Sequence, residues 1–384
     1  MASTPHVLFA GGGSPGHLYP GLAVAEHLRR RLPHALITFA GTGAARERHT
    51  VRLAGHHYTM IPAHPMPRNP LQAVRFVTDN VAGYCAARWM LREQRVSLVV
   101  GLGGSTSVAV VRAALARGIP IVLLEQNAVP GRTTRWLSRA AAMVCAAFEE
   151  VRPHLHVQAP VTVTGNPTRQ EFEDLYFRLQ SRERSAAAPP PARRQRRLVI
   201  IGGACGARSL NEHVPAALAK LGDDLAGWQV VHQTGDGQHQ ETEARYAKHG
   251  VRALTVTHID EIASVLFASD VVVCRAGGTM LAELALAGVP AVLCPFPQAT
   301  DEHQLANAKV FAAAGACRMI DESQQTGALD AALARDLGAL VGDQRLRLDM
   351  AANMRKLARP HAAAEVAGAI ADQLCGGLSL LQAA

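Results

Sequence analysis

Two short stretches of this 384-residue sequence combine residue types that could catalyse a reaction or bind a ligand. The first, GGGSPGH at residues 11–17, places a single histidine after a cluster of glycines. A glycine turn that opens a helix presents backbone N–H groups and the positive end of the helix dipole. This environment favours a neutral imidazole, so His17 is a candidate general base. The alternative is a histidine that only caps or packs the helix.

The second stretch is RAGGTMLAE at residues 275–283, followed by PFPQATDEHQLANA at 295–308. A tight turn at a helix start can hold a diphosphate without a metal ion. The two oxygens of Glu283 can bond two ribose hydroxyls, although Glu283 alone could equally be a surface helix charge. Gln304 and Asn307 carry amides, which both donate and accept hydrogen bonds and therefore suit sugar hydroxyls.

Both stretches follow short apolar runs that predict buried parallel strands. Helical patterns, such as those at 20–31 and 107–117, separate these runs and predict an α/β fold with doubly wound sheets. The rhythm restarts at RLVIIGGACGARSLN (197–211), so we expect two Rossmann-like domains facing each other across a cleft, with ligands at the carboxyl ends of the strands. The further strand candidates are residues 6–10, 36–40, 97–101, 121–124, 143–146, 162–164, 229–232, 254–257, 271–274 and 291–294.

The glycines at 11, 13 and 16 match GxGxxG, which raises the hypothesis of a dehydrogenase. In that class an acidic residue after the second strand binds the NAD ribose. Here the second strand reads LITFAGTGAAR, without Asp or Glu, and Pro15 removes an N–H from the glycine motif. The sequence therefore disfavours NAD, while the loop could still offer backbone N–H groups.

The composition narrows the class of protein. The net charge of +8 suits an anionic partner, without choosing between a nucleotide, a nucleic acid and a membrane surface. Seven cysteines without a CxxC pair indicate buried, reduced thiols in a cytosolic protein. No secretory signal and no apolar run of about 18 residues occur.

The Ala/Pro/Arg-rich stretch 181–197 predicts an exposed insert whose arginines are a solvated surface rather than a nucleic-acid patch.

Several ordered motifs together resemble the MurG family of glycosyltransferases, which has the GT-B fold. The resemblance covers roughly residues 5–375, apart from the insert. Its motifs are GGSPGHLYPGLAVAEHL, GLGGSTS, LEQNAVPGRTTRWL, VTGNPTR, GGACGARSLN and RAGGTMLAE with HQLANA.

The resemblance implies transfer of GlcNAc from UDP-GlcNAc to the C4 hydroxyl of MurNAc in lipid I, with inversion, giving lipid II and UDP. It implies peptidoglycan synthesis and hence roles in cell-wall biogenesis, cell shape and cell division. The enzyme would be peripheral on the cytoplasmic face of the bacterial membrane, where other cell-wall synthesis proteins are potential partners. No resident cofactor or nucleic acid is implied. No metal-ligand cluster is visible in the sequence. Whether a divalent cation stimulates the reaction stays an open question.

The family pattern also implies residue roles. His17 is the catalytic base or acceptor-orienting residue, and Arg169 contacts the diphosphate. The other implied donor-binding residues are Ser14, Pro15, Gly16, Asn127, Ala204, Ile259, Gly278, Thr279, Met280, Leu281, Ala282, Glu283 and Gln304. The implied domains are 1–165 with a C-terminal helix at about 358–376, for the acceptor and membrane, and 166–357, for UDP-GlcNAc.

The sequence departs from the family pattern at Ser14-Pro15, Ser105 and Ala204-Cys205. Two alternatives therefore stay open: a GT-B enzyme with another lipid acceptor, and a relative that binds a UDP-sugar without turnover. Residues 66–95 mix apolar and arginine side chains, which predicts either a membrane-docking amphipathic helix or an ordinary core helix.

Overall fold

The computed structural model describes residues 4–67, 70–155, 160–184, 195–203, 206–325 and 327–382. The chain divides into two compact units. Unit 1 comprises Met1–Arg169 with His361–Ala384, and unit 2 comprises Gln170–Pro360. The expected boundaries after 165 and 357 lie four and three residues before these divisions.

Strands and helices alternate along both units. The strands are β1 (His6–Gly11), β2 (Leu36–Gly41), β3 (His57–Met60), β4 (Leu98–Gly103), β5 (Ile121–Glu125), β6 (Met143–Ala146), β7 (Val161–Val163), β8 (Arg196–Ile201), β9 (Trp228–Gln233), β10 (Leu254–Val256), β11 (Val271–Cys274), β12 (Ala291–Leu293) and β13 (Cys317–Met319). The helices are α1 (Pro15–Arg31), α2 (Ala45–Leu53), α3 (Pro70–Glu93), α4 (Gly104–Leu115), α5 (Arg132–Leu137), α6 (Gln170–Arg184), α7 (Arg208–Ala219), α8 (His239–Lys248), α9 (Ile262–Phe267), α10 (Gly278–Ala287), α11 (His303–Ala313), α12 (Leu329–Gly342), α13 (Gln344–Lys356) and α14 (Ala362–Gln382).

Each unit contains one parallel sheet, as the apolar runs predict. Unit 1 has seven strands in the order β3-β2-β1-β4-β5-β6-β7. Unit 2 has six in the order β10-β9-β8-β11-β12-β13. In both sheets the strand order reverses between the first strand of the unit and its fourth, which is where ligands of such sheets bind.

Helices on both faces of each sheet form the cores. In unit 1, Val24 and Leu28 of α1 pack in one buried cluster with Val366 and Ile370 of α14. The C-terminal helix therefore completes the first unit rather than the second. In unit 2, α7 and α12 pack together over the buried apolar residues of β8 and β11.

Several boundaries that the sequence predicts differ from those in the structure. The first helix begins at Pro15 rather than residue 20, because proline is suited to the first position of a helix, where no intrahelical N–H bond is needed. The predicted insert 181–197 is shorter, since α6 extends to Arg184 and β8 begins at Arg196; residues 185–194 lie outside the described residues. Among the described cysteines, Cys145, Cys274, Cys294 and Cys317 are buried as predicted, whereas Cys85 and Cys375 are exposed.

Candidate functional site

His17 lies in the first turn of α1, directly after β1 and thus at the reversal point of the unit 1 sheet. Its Nδ1 lies 3.2 Å from Ser14 Oγ and 3.4 Å from the carbonyl oxygen of Gly12. A carbonyl oxygen can only accept, so this contact favours the tautomer that carries its proton on Nδ1. In that tautomer Nε2 is the nitrogen that accepts a proton.

The turn between β4 and α4 approaches His17 closely. A Cβ placed on Gly103 would lie 3.2 Å from His17 Nε2, and one on Gly104 would lie 2.8 Å from the Gly12 carbonyl oxygen. Both glycines also have positive φ, at 100° and 81°. Any side chain at Gly103 would therefore be strained and would crowd the imidazole.

Three backbone N–H groups at the N-terminal glycine turn, those of Gly13, His17 and Leu18, are already paired within the chain. The backbone N–H of Gly13 donates to Oε1 of Glu47, and the N–H groups of His17 and Leu18 both donate to Ser14 O. Pro15 has no N–H, and with Gly16 it belongs to α1 rather than to a preceding turn. An internal carboxylate thus accepts the hydrogen bond of the Gly13 N–H.

Glu47 comes from α2 and is buried. Its Oε2 accepts hydrogen bonds from Thr42 N at 3.0 Å, Thr42 Oγ1 at 2.9 Å and Tyr58 OH at 2.9 Å. Burial raises the pKa of Tyr58 to about 12, so its hydroxyl keeps its proton at neutral pH. Sequence reasoning missed Glu47, because a glutamate in a helical stretch with several arginines reads as a surface charge.

Asn127 follows β5 and is held by a second buried carboxylate that sequence reasoning also missed. Glu125 Oε1 accepts from Asn127 N at 3.0 Å and from Asn127 Nδ2 at 3.1 Å. Its Oε2 accepts from Gly131 N at 3.2 Å. Burial raises the pKa of Glu125, and the hydrogen bonds from Thr134 and Asn127 oppose that shift. The loop that contains Asn127 is therefore held in place by hydrogen bonds to Glu125 at its start.

Arg169, the last residue of unit 1, stacks on a residue beside His17. Its guanidinium lies 5.0 Å from the centre of the Tyr19 ring, within the range of a cation–π interaction. Ser14, His17 and Arg169 therefore all associate with the first turns of α1.

In unit 2, the RAGG turn leads from β11 into α10, which begins at Gly278. The first residues of a helix have N–H groups without intrahelical acceptors, so Gly278, Thr279 and Met280 fit a phosphate cradle. Leu281 does not fit it, because its N–H donates to Gly277 O and its side chain is fully buried in the core. Ala282 lies one residue further into the helix and is half-buried.

Glu283 is only 2% exposed, which rules out the alternative of a surface helix charge. Its helix packs against α6, α9 and α13 within unit 2, so the side chain lies on a covered face. An ionisable group at such a position is retained only with polar partners. Its predicted contact with ribose stays a prediction.

Gln304 and Asn307 lie on α11, and both bond to loops that follow neighbouring strands. Gln304 Oε1 accepts from Phe296 N at 3.0 Å, and Asn307 Nδ2 donates to Ala276 O at 3.1 Å. Asn307 thereby ties α11 to the turn that opens α10. The Gln304 carbonyl is already used, so its NH₂ group is the part suited to a sugar hydroxyl.

Arg275 holds the same turn from its other side. Its guanidinium donates to Cys294 O at 2.9 Å, to Glu322 Oε1 at 2.6 Å and to Ser209 Oγ at 2.8 Å. It also lies 5.4 Å from the ring centre of Phe296. One side chain thus joins the turns after β11 and β12 to the start of α7, although the sequence shows only an arginine before two glycines.

Of the other two predicted donor-binding residues in this part of the chain, the structure describes only Ile259. Ile259 is half-buried in the loop between the edge strand β10 and α9, and α9 packs on α10. Ala204 lies outside the described residues, as does Cys205. Across the described ranges, no group of three or more His, Cys, Asp or Glu side chains could hold a metal ion.

Helix α3 carries an exposed apolar stripe, which rules out the alternative of an ordinary core helix for this face. Val74, Val77, Val81 and Trp89 are 57–67% exposed. Arg75, Arg88 and Arg92 are also exposed on the same helix. The opposite side, including Met90, is buried in the core. Of the helices described, none is long and apolar enough to cross a bilayer.

Each of the two units matches the model of a known protein family. Residues 7–146 match the glycosyltransferase family 28 N-terminal domain, and residues 197–364 match the glycosyltransferase family 28 C-terminal domain.

Two named relatives are UDP-N-acetylglucosamine--N-acetylmuramyl-(pentapeptide) pyrophosphoryl-undecaprenol N-acetylglucosamine transferases. The one from Myxococcus xanthus is 36% identical over 368 residues, which are 95% of this chain and 92% of that protein. The one from Nitratidesulfovibrio vulgaris is 35% identical, over 96% and 97% of the two chains.

Solved structures are similar over nearly the whole chain. The crystal structure of Acinetobacter baumannii MurG has a TM-score of 0.76 and 28% identity, and the match covers 96% of this chain and 99% of that one. A UDP-GlcNAc 2-epimerase from Neisseria meningitidis has a TM-score of 0.66 at 14% identity, covering 97% and 100%, and this likeness shows the fold alone.

Proposed function

Because the chain belongs to the MurG family within glycosyltransferase family 28, we propose specific roles for its residues in the reaction of that family. The protein is a UDP-GlcNAc-dependent hexosyltransferase with the GT-B fold. It transfers GlcNAc to the MurNAc sugar of lipid I in peptidoglycan precursor synthesis.

His17 is the proposed general base. The oxygen of the MurNAc C4 hydroxyl attacks C1 of GlcNAc while the bond from C1 to the diphosphate oxygen breaks. The hydroxyl proton passes to His17 Nε2, and UDP leaves with the bonding electron pair. The observation that carries this role is the contact of His17 Nδ1 with the Gly12 carbonyl, which favours Nε2 as the proton acceptor.

The leaving diphosphate receives its charge stabilisation from unit 2 and from Arg169. The N–H groups of Gly278, Thr279 and Met280 and the dipole of α10 favour the developing negative charge. Glu283 binds the ribose and Ile259 the uracil, while Asn127 and Gln304 bind the GlcNAc. This cradle needs no resident cofactor, and we expect the activity to persist in EDTA, with any divalent cation acting only as a stimulant.

The exposed stripe of α3 is the proposed membrane contact. An apolar row flanked by arginines suits the anionic cytoplasmic leaflet of a bacterial membrane, where the polyprenyl chain of the acceptor is embedded. The protein would therefore act as a peripheral enzyme, close to other proteins of cell-wall synthesis.

The test is transfer from UDP-GlcNAc to a short-chain lipid I analogue, followed by UDP release and mass analysis of the product. The matched control is the same analogue without its MurNAc C4 hydroxyl. We expect one UDP per disaccharide product and no release with the control. Donor binding without release from the intact analogue would contradict the proposal and indicate another acceptor or a relative without turnover.

A further inference from the structure

Glu47 and His17 are connected through one peptide unit. The carbonyl of Gly12 and the N–H of Gly13 belong to the same planar amide. The Gly13 N–H donates to Glu47 Oε1, and the Gly12 carbonyl lies 3.4 Å from His17 Nδ1. A carboxylate, a peptide and an imidazole are therefore arranged in series.

The surroundings of Glu47 match an ionised carboxylate. The four groups that bond to it, Gly13 N–H, Thr42 N–H, Thr42 Oγ1–H and Tyr58 O–H, are all arranged as donors. A charged carboxylate can only accept, and this set supplies donors to both of its oxygens. The side chain is 7% exposed, so water screens its charge little.

From this arrangement we propose that Glu47 is a positioning residue for His17 that acts through the Gly12–Gly13 peptide; this inference rests on the proposed role of His17. The negative charge at the N–H end of the peptide polarises it and makes the carbonyl oxygen a better acceptor. The carbonyl in turn keeps the proton on His17 Nδ1 and fixes the ring, so Nε2 stays the base. Glu47 thus has the role that a carboxylate takes when it binds a catalytic histidine directly.

Glycines in this turn and at the end of β2 leave room for the Glu47 carboxylate beside the Gly12–Gly13 peptide. A Cβ on Gly12 would collide with Glu47 Oε1, and one on Gly41 would lie 2.8 Å from Oε2. Gly13 has φ of 88°, which directs its N–H while favouring glycine.

The main variant is Glu47→Gln, which keeps one acceptor oxygen and turns an NH₂ group toward the remaining donors. We expect kcat for transfer to fall about tenfold to a hundredfold, as for a displaced catalytic group. The KM for UDP-GlcNAc should change less than twofold, because Glu47 accepts its hydrogen bonds from Gly13, Thr42 and Tyr58, which are not proposed donor-binding residues. Gly12→Ala should act similarly by displacing the carboxylate. The matched control is Tyr58→Phe, which removes one donor and leaves the Gly13 bond, so kcat should stay within twofold.

Nuclear magnetic resonance measures directly the two hydrogen bonds that connect Glu47 to His17 through this peptide. In the wild type we expect the Gly13 amide proton at a downfield shift and the His17 ring nitrogens to report a proton on Nδ1. Both signals should move in Glu47→Gln and Gly12→Ala but not in Tyr58→Phe. A wild-type Gly13 amide without the downfield shift, or a folded Glu47→Gln with unchanged kcat and His17 signals, would overturn the inference. These signals need no turnover, so an inactive wild type would count against the proposed function alone.

Discussion

At the scale of the residue, the effect of removing a side chain depends on its partners and their burial rather than on its residue type. Arg275 and Arg208 both pair with a glutamate in unit 2. The Arg275–Glu322 pair has side chains that are 17% and 9% exposed, whereas Arg208 is 83% exposed. Removing one partner of a covered pair leaves an uncompensated charge, while an exposed pair is screened by water.

We therefore predict that Arg275→Ala lowers the free energy of unfolding by about 3 kcal/mol. It should also raise the KM for UDP-GlcNAc, because the turn before α10 loses its tie to the loop after β12. Urea unfolding followed by circular dichroism measures the first effect and initial rates measure the second. Arg208→Ala is the matched control and should leave both values unchanged; equal effects of the two variants would refute the account.

The sequence made His17 a candidate because a lone histidine among glycines is unusual, and Glu283 because it follows a glycine turn at helical spacing. Sequence reasoning missed Glu47 and Arg275, which bond to residues from distant parts of the chain, and Glu125, whose partners Asn127 and Gly131 lie in the loop that directly follows it. Glu47, for example, joins Gly13, 34 residues away. Side-chain clusters of this kind depend on the tertiary fold and have no local pattern.

At the scale of the element, α3 presents its apolar stripe outward, and this makes membrane binding testable. Replacing Val74, Val77 and Val81 together by serine should weaken binding to vesicles of phosphatidylglycerol and phosphatidylethanolamine by at least about tenfold. Each apolar side chain moved out of water contributes on the order of 1 kcal/mol or more. Co-sedimentation and the fluorescence of Trp89 report the binding.

Leu53→Ser and Leu254→Ser are matched controls, because these leucines are 75% and 55% exposed but lie outside α3. Neither should alter vesicle binding. Added salt should weaken the wild type, since Arg75, Arg88 and Arg92 attract the anionic lipid. Unchanged binding of the triple variant, or equal loss in the controls, would exclude α3 as the contact.

The elements also show what a sequence pattern can predict. Central strands such as β1 and β11 were predicted because burial on both faces requires continuous apolar runs. The edge strands β3 and β13 were missed. They read HYTM and CRM and are partly exposed, so their polar residues resemble those of a loop.

At the scale of the whole molecule, two buried histidines link stability to pH. Burial is the main cause that lowers the pKa of His56 to about 4, with a further contribution from the charge of Arg29. Burial also lowers the pKa of His232 to about 3. An unfolded histidine has a pKa of about 6.5, so between these values the unfolded chain binds protons that the folded chain does not.

Stability should therefore be fully present above about pH 6.5 and fall as the pH decreases toward 4. Urea unfolding at pH 7.5, 6.0 and 5.0 measures this slope. His56→Gln should have a shallower slope, whereas replacement of the exposed His34 should leave it unchanged. A slope in the wild type that equals that of His56→Gln would contradict the assignment.

His17 is the base of the proposed transfer by the whole molecule, and one comparison tests this role most directly. Single-turnover transfer to the lipid I analogue is measured for the wild type and His17→Ala, with UDP-GlcNAc affinity determined by calorimetry. Loss of a general base predicts a rate about 10²- to 10⁴-fold lower with unchanged donor affinity. A rate within tenfold of the wild type, or a matching loss of donor affinity, would contradict this role.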